Sequence, residues 1–232
     1  MTAFRRLLFT LGAALAMTAP AAGADDRFCA GVGYDDVPAL MLGRVKADAG
    51  KVYFLTNGSK TNPCPSAAPE CREKAYVVAG DLLVLGAKQG DHVCADYDGG
   101  KGDRGGWLPA AAIEPAPVET DAAAWVGKWK RVEAEIRIAW QGDGLNAEGD
   151  ATFGALDPAR VRRGGVNVGD FSGSLTFKDG HGSITDKDAD PKDSFACRLR
   201  LARSGPFLFV RDNMQCGGFN VSFSGLYKRA AK

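Results

Sequence analysis

Six cysteines and two histidines are the side chains of this sequence best suited to covalent or metal chemistry. The histidines are His92 and His181, and the cysteines are Cys29, Cys64, Cys71, Cys94, Cys197 and Cys216. Nucleophilic catalysis needs a base beside a serine or cysteine, and neither histidine lies in such a motif. A structural zinc site needs closely spaced ligands, and the sequence has no Cys-x2-Cys pair. We therefore predict no metal, no cofactor and no catalytic residue.

The cysteines are better explained as disulfide partners, because an even number in an exported chain is typical of a disulfide framework. Six cysteines allow 15 connectivities. Cys197 and Cys216 flank a predicted hairpin (196–203 and 206–212, with its turn at 204–205), and we expect this hairpin to bring them close enough for a bridge. Cys64 and Cys71 enclose a short polar loop, which leaves Cys29 for Cys94. The connectivity of these last four cysteines remains open from the sequence.

Residues 186–193 place aspartates at alternating positions, as calcium-binding loops do. The calcium-loop pattern requires a glycine at its sixth position and an acidic residue at its twelfth, where this chain has Pro191 and Cys197. Lysines also lie between the aspartates. The segment is therefore predicted to be a solvated loop.

Paired carboxylates can hydrolyse a glycan, but no acidic pair lies in a recognisable frame, so the chain is not predicted to be an enzyme. The candidate binding residues are instead basic and aromatic. Arg160, Arg162 and Arg163 form a basic cluster, either a solvated surface or a contact for an anionic wall polymer, lipid headgroup or acidic protein. Tyr97 and Trp107 would line a groove of the first domain, although core packing is the commoner role of such a tryptophan.

The N-terminal segment has the pattern of a secretory signal. Arg5 and Arg6 precede an apolar stretch over residues 7–17, which is shorter than the roughly 20 residues that cross a bilayer. Small residues at 22–24 fit a signal peptidase. We predict a signal peptide over residues 1–24, no membrane span, and a periplasmic or secreted mature protein.

The charge balance argues against nucleic acid as a partner. Removal of residues 1–24 leaves 27 basic and 28 acidic residues, a net charge of −1. Proteins that bind DNA or RNA need a basic surface, and this chain has no such excess.

Residues 115–120 contain two prolines and are typical of a linker, so we predict domains over residues 25–114 and 121–232. In the first domain, short apolar runs are separated by turn residues at the spacing of a small β-barrel. Its segments 80–85 (GDLLVL), 90–95 (GDHVCA) and 106–108 (GWL) together resemble the bacterial SH3-like domain over about residues 50–114. The resemblance implies an open barrel of five to six strands, with a binding loop where the segment 64–71 lies.

Apolar and polar residues alternate in the second domain, in segments 134–140, 171–177, 197–201 and 221–227. The apolar face of the first segment includes Trp140. This period-two pattern predicts antiparallel strands that close into a barrel or sandwich, which makes the fold class all-β. One short helix is predicted, with Asp157 as its cap, Pro158 at its first position and Gly164 after its end.

Two further segments of the second domain carry resemblances. Trp125-Val126-Gly127-Lys128-Trp129 is similar to the Gly-x-Trp start of lipocalin- and avidin-like barrels, in which the tryptophan closes one end. Residues 212–227 resemble a C-terminal segment of exported proteobacterial proteins, some of them lysozyme-inhibitor-like. Neither resemblance implies a catalytic residue.

The sequence thus predicts an exported, disulfide-stabilised, non-enzymatic protein of two small β domains. Three roles are compatible with it. The first is a cell-envelope binding protein that contacts peptidoglycan or an envelope protein. The second is an inhibitor of a lysozyme-type wall hydrolase, and the third is a carrier with a small ligand in the C-terminal barrel.

Overall fold

The computed structural model describes residues 28–59, 62–99, 103–187, 190 and 192–230, and the predicted signal peptide lies outside them. The fold is all-β, as predicted, and consists of one open sheet followed by one closed barrel. No helix of the described residues is long and apolar enough to cross a membrane.

The open sheet has seven antiparallel strands in the order β3-β2-β6-β5-β4-β1-β7. Two 3-10 helices interrupt the sequence, Pro69–Cys71 before β3 and Ala110–Ala112 before β7. The strands are β1 Met41–Val45, β2 Lys51–Leu55, β3 Arg72–Val78, β4 Leu82–Gln89, β5 His92–Asp98, β6 Asp103–Pro109 and β7 Ile113–Pro115.

The barrel has eight antiparallel strands, in which each strand pairs with the next along the chain and β15 closes onto β8. A 3-10 helix, Ala122–Trp125, precedes it, and α1, Pro158–Arg162, connects β10 to β11. The strands are β8 Gly127–Arg131, β9 Ala134–Gln141, β10 Gly144–Phe153, β11 Asn167–Lys178, β12 His181–Thr185, β13 Arg198–Ser204, β14 Phe207–Asp212 and β15 Gly225–Arg229.

The alternation of apolar and polar residues in the sequence corresponds to side chains that point alternately into and out of the barrel. On β9, Ala134, Ile136 and Ile138 are buried, but Trp140 is 52% exposed, so the burial predicted for Trp140 is wrong. Trp140 pairs with Leu145 near the turn of the β9–β10 hairpin, where the ribbon ends. The last strand begins at Gly225, later than the pattern from 221 indicates.

The barrel interior is filled by buried side chains, with aromatic rings at its centre. The Trp129 indole Nε1 donates to the Trp125 carbonyl at 2.9 Å, and both tryptophans are fully buried. Phe171 and Phe223 meet edge to face with their ring centroids 4.9 Å apart. This packing argues against a small-ligand carrier, because the ligand would have to displace the core.

The short helix follows its sequence signals closely. The Asp157 side chain accepts from the backbone N–H groups of Ala159 and Arg160, which caps the start of α1. Pro158 occupies the first helical position, where its missing N–H costs nothing. Gly164 adopts a left-handed φ of 68° and ends the helix.

Three disulfides join the six cysteines in the pairs that the spacing favoured: Cys29–Cys94, Cys64–Cys71 and Cys197–Cys216. Disulfides persist in oxidising compartments, so the framework indicates an extracytoplasmic protein. The bridges span sequence separations of 65, 7 and 19 residues. The first of them ties the start of the described chain to β5.

The hairpin that brings Cys197 and Cys216 together has a different turn and register from the predicted one. The turn of the β13–β14 hairpin is at Gly205-Pro206, since Ser204 pairs with Phe207. This register does not set Cys197 opposite Cys216. Instead the chain leaves the ladder after Asp212, and Met214, with a left-handed φ of 60°, returns it to Cys197.

The sheet and the barrel pack against each other through a shared apolar cluster. It combines Leu42, Val84 and Trp107 of the sheet with Ala202 and Phe209 of the barrel. The predicted linker runs along this contact. Its Ala116 N–H donates to the Leu42 carbonyl at 2.9 Å, and its Glu119 N–H donates to the Arg203 carbonyl at 2.8 Å.

A buried ion pair crosses the same contact. Arg211 on β14 and Asp96 on β5 are both buried, and the Arg211 Nη2 donates to the Asp96 carboxylate. The Arg211 Nε donates at 2.8 Å to the carbonyl of Val32, which precedes β1. A buried guanidinium with these partners satisfies both its charge and its donors.

Removing a disulfide should destabilise the fold more when the loop that it closes is longer. In the chain-entropy model, loss of Cys29–Cys94 lowers the free energy of unfolding by about 4 kcal/mol, and loss of Cys64–Cys71 by about 2.5 kcal/mol. Urea unfolding of the two double cysteine-to-serine variants checks this order. A larger loss for the Cys64/Cys71 variant would contradict it.

Asp96→Asn should destabilise the protein strongly, because it leaves the Arg211 charge buried without its partner. We expect a loss of about 3–5 kcal/mol in the free energy of unfolding. The matched control is Glu148→Gln, which removes an exposed pair with Arg137 and should change stability by less than about 1 kcal/mol. Equal stability of the two variants in urea would contradict the role of the buried pair.

Candidate binding cleft

A cleft of about 920 Å³ opens where the sheet meets the barrel. One wall comes from the turn before β4 and from the facing ends of β5 and β6. The other wall comes from β8 and β15. Apolar side chains of both units, among them Leu82, Phe207 and Leu226, contribute to its lining. Clefts between packed units are common places for ligand binding.

Tyr97 is the aromatic residue of the sheet wall. Its hydroxyl donates to the Asp81 Oδ1 at 3.4 Å, and the Asp81 Oδ2 accepts from the Val78 N–H at 2.8 Å. Gly80 makes this tight turn possible with a φ of 88°. Burial raises the pKa of Tyr97, and the negative charges of Asp81 and Asp98 raise it further. The phenol therefore stays protonated and able to donate.

Two more carboxylates lie on the sheet side of the cleft and, with Asp81, form its acidic wall. Asp98 on β5 and Asp103 on β6 occupy directly opposite positions in the strand register. The Asp98 Oδ2 accepts from the Leu226 N–H of β15 at 2.8 Å. Desolvation raises the pKa of Asp103, and the nearby charges of Asp98 and Asp96 add to the shift, against a smaller opposing effect of Arg211 and Arg131. A cation that entered the cleft here would relieve the repulsion between these carboxylates.

The barrel wall is basic. Lys130 of β8 and Lys228 of β15 are paired neighbours on adjacent strands. The Lys130 ammonium lies 3.0 Å from the Glu135 carboxylate, whereas Lys228 makes no ion pair with any described residue. Arg131 is tied into the barrel, because its Nε donates to the Tyr227 hydroxyl at 3.3 Å and its Nη1 to the Val132 carbonyl at 3.0 Å.

The cleft therefore sets carboxylates on one wall against cations on the other. Side chains of opposite charge thus line a partly apolar gap, which is complementary to a ligand that carries both a positive and a negative group. Tyr97 adds a flat apolar face and a hydroxyl on the acidic side.

Of the two aromatic candidates from the sequence, only Tyr97 lies in the cleft. Trp107 is 1% exposed, and its Nε1 donates at 2.9 Å to the Asn57 Oδ1. The same Asn57 side chain hydrogen-bonds the backbone N–H and carbonyl of Cys29. Trp107 is thus a core residue that holds the disulfide-bonded N-terminal segment, and the groove role proposed for it is excluded by its burial.

The three arginines of the basic cluster lie on and just after α1, away from the cleft lining. The Arg160 guanidinium packs over the Phe153 ring at 4.7 Å and donates to the Gly165 carbonyl at 3.4 Å. Arg162 and Arg163 are exposed. Contact of this cluster with an anionic partner stays a prediction.

The histidines and the aspartate-rich segment are not brought into the cleft. His92 pairs with Pro109 on β6, and His181 pairs with Ala202 on β13. The segment 186–193 is described only in part. Among the described residues, no cluster of three or more histidine, cysteine or acidic side chains has metal-site geometry.

None of the six charged residues in the described cleft lining was singled out from the sequence: Asp81, Asp98, Asp103, Lys130, Arg131 and Lys228. Asp98 and Asp103 flank the glycine-rich segment between β5 and β6, which is a local signal. The basic residues give no such signal. They come together only because the last strand of the barrel closes onto the first.

Comparisons with known proteins do not assign the chain. No protein-family model matches it, and no curated protein or solved structure matches it either. The observed class is an all-β, disulfide-bonded protein of an open sheet packed on a closed barrel. The resemblances to SH3-like and lipocalin-like domains stay predictions.

Proposed function

We propose that the protein is a non-enzymatic binding protein of the bacterial cell envelope, which holds peptidoglycan by its stem peptides in the cleft between sheet and barrel. The observation that carries the proposal is the opposition of the acidic wall (Asp81, Asp98 and Asp103) to the basic wall (Lys130 and Lys228). Stem peptides carry free carboxylates and can carry a free ammonium group. Each charge of such a peptide has a complementary wall.

The exposure of one charged residue on each wall supports binding of a ligand with two opposite charges. Lys228 is exposed and makes no ion pair with the residues that the structure describes, so its ammonium group is available for a ligand carboxylate. Asp103 is exposed as well and lies beside two other carboxylates, whose repulsion a ligand ammonium would relieve. The Tyr97 hydroxyl donates to Asp81, and its oxygen can still accept from a peptide N–H.

A non-enzymatic role agrees with the state of the cysteines. All six are oxidised in disulfides, so none is available as a nucleophilic thiolate. The disulfides also support a location in the periplasm or outside the cell. The tightly filled barrel supports a role as a rigid scaffold that positions the basic wall.

Sedimentation with purified sacculi tests the proposal at low salt. The wild-type protein should pellet, and Lys228→Glu and Asp103→Lys should each weaken binding by about tenfold, as expected for loss of one charge-assisted contact. Lys178→Glu, an equal charge change on the exposed end of β11, should bind as the wild type does. Soluble stem-peptide fragments should compete for the site.

Two results would refute this function. Wild-type protein that stays in the supernatant at low salt would exclude wall binding. Cleft variants that pellet as well as the wild type would exclude the cleft as the site. Retention of an envelope protein that depends on Lys228 and Asp103, without sacculus binding, would point instead to a protein partner for the same cleft.

As the pH is lowered, binding should begin to weaken at a higher pH than it would with an aspartate of ordinary pKa. A ligand ammonium favours the carboxylate form of Asp103, and affinity falls as that group becomes protonated. Because the pKa of Asp103 is raised from its usual value near 3.8, the loss should begin at a higher pH than usual. Asp103→Asn should bind more weakly and lose most of this pH dependence. An unchanged pH profile in Asp103→Asn would contradict the assignment.

A further inference from the structure

A second surface lies on the outer face of β2 and β3, away from the cleft. We call it the tyrosine–cation patch and define it by five residues: Lys51, Tyr53, Arg72, Lys74 and Tyr76. Tyr53 pairs with Tyr76 across the two strands, and their ring centroids lie 5.5 Å apart. Tyr76 is 44% exposed. The patch combines aromatic surface with positive charge.

The tyrosine rings hold two of the cations in place. The Arg72 guanidinium lies 3.3 Å from the Tyr53 ring centroid, and the Lys51 ammonium lies 4.5 Å from that of Tyr76. Cation–π contacts of this kind order long side chains without neutralising their charge. Among the described residues, neither cation nor Lys74 has an ion-pair partner. The patch therefore presents ordered positive charge that lacks a counter-ion.

A groove of about 380 Å³ runs beside the patch. Lys51, Tyr53 and Arg72 line one side, and Ala67 with Pro69 of the loop closed by the Cys64–Cys71 disulfide lines another. None of the described residues that line this groove is acidic. The groove thus has the opposite character to the cleft, which mixes both charges. It fits an anionic ligand.

The position of the patch in the sheet favours a chain-like ligand. β3 is an edge strand, so its outer side is open. Lys51 lies opposite Val78 on β3, and the ring and cation distances place its ammonium group no more than about 13 Å from the Arg72 guanidinium. A groove lined on one side by the loop of the Cys64–Cys71 disulfide suits a single polymer chain better than a flat bilayer surface.

We propose that the patch and its groove bind an acidic polysaccharide, a sugar chain that bears carboxylate or phosphate groups. Each sugar ring has an apolar face, which can pack on the exposed Tyr76, and its anionic groups then reach the cations. The Arg72 guanidinium lies 3.3 Å from the Tyr53 ring centroid, and its planar fork can make a bidentate contact with a carboxylate. The five patch residues make one binding site.

Fluorescence anisotropy with labelled polygalacturonate tests the proposal on the full exported chain. Lys51→Gln/Arg72→Gln should weaken binding at least about tenfold, since two charge-assisted contacts are lost. Arg72→Lys keeps the charge and loses the planar fork, so it should fall between the double variant and the wild type. Lys88→Gln and Lys178→Gln each remove one exposed lysine elsewhere and should bind as the wild type does.

The outcomes separate the ligand classes. Equal binding of neutral dextran, or a double variant that binds like the wild type while keeping the wild-type circular dichroism, would overturn the proposal. Stronger patch-dependent binding to vesicles of phosphatidylglycerol would assign the patch to a lipid surface and also overturn it. Lys228→Glu should leave polygalacturonate binding unchanged, which keeps this site distinct from the peptidoglycan cleft.

Discussion

The buried ion pair between Arg211 of the barrel and Asp96 of the sheet determines how the two halves of the molecule meet. A buried charge is tolerated only with a well-placed partner, so the pair fixes one relative position of β14 and β5. Tyr97 and Asp98 follow Asp96 directly on β5, and the Asp98 contact with the Leu226 N–H adds a second fixed point. The acidic wall of the cleft is therefore held at a constant distance from the basic wall.

The open sheet and the barrel differ in what their architecture can present to a ligand. The barrel is a closed structure with a packed interior, so it offers a rigid set of outward-facing residues such as Lys228. The open sheet has free edges, and its outer strand carries the tyrosine–cation patch. A cleft lined by both charges and a groove lined by positive charge thus lie on one molecule.

Much of the fold follows from local patterns in the sequence. Alternation placed Ile136 and Ile138 inside the barrel, and the Asp157, Pro158 and Gly164 signals located the helix, because caps and side-chain period depend on a few neighbouring residues. Trp140 was misplaced, since alternation continues past the point where the hairpin leaves the core. The hairpin before Cys216 was misregistered by its turn, which local residue types specify only weakly. The cleft depends on contacts between strands that are distant in sequence, so only Tyr97 was found.

The nesting of the disulfides has a consequence for biogenesis. The Cys64–Cys71 bridge lies inside the loop that Cys29–Cys94 closes. In a polypeptide that is translocated N-terminus first, an oxidant that joins cysteines in order of emergence would link Cys29 to Cys64 and Cys71 to Cys94. The native pattern then forms only through thiol–disulfide exchange. A chain oxidised in that order would need a disulfide isomerase to reach the native pairing, and mispaired forms would accumulate without one.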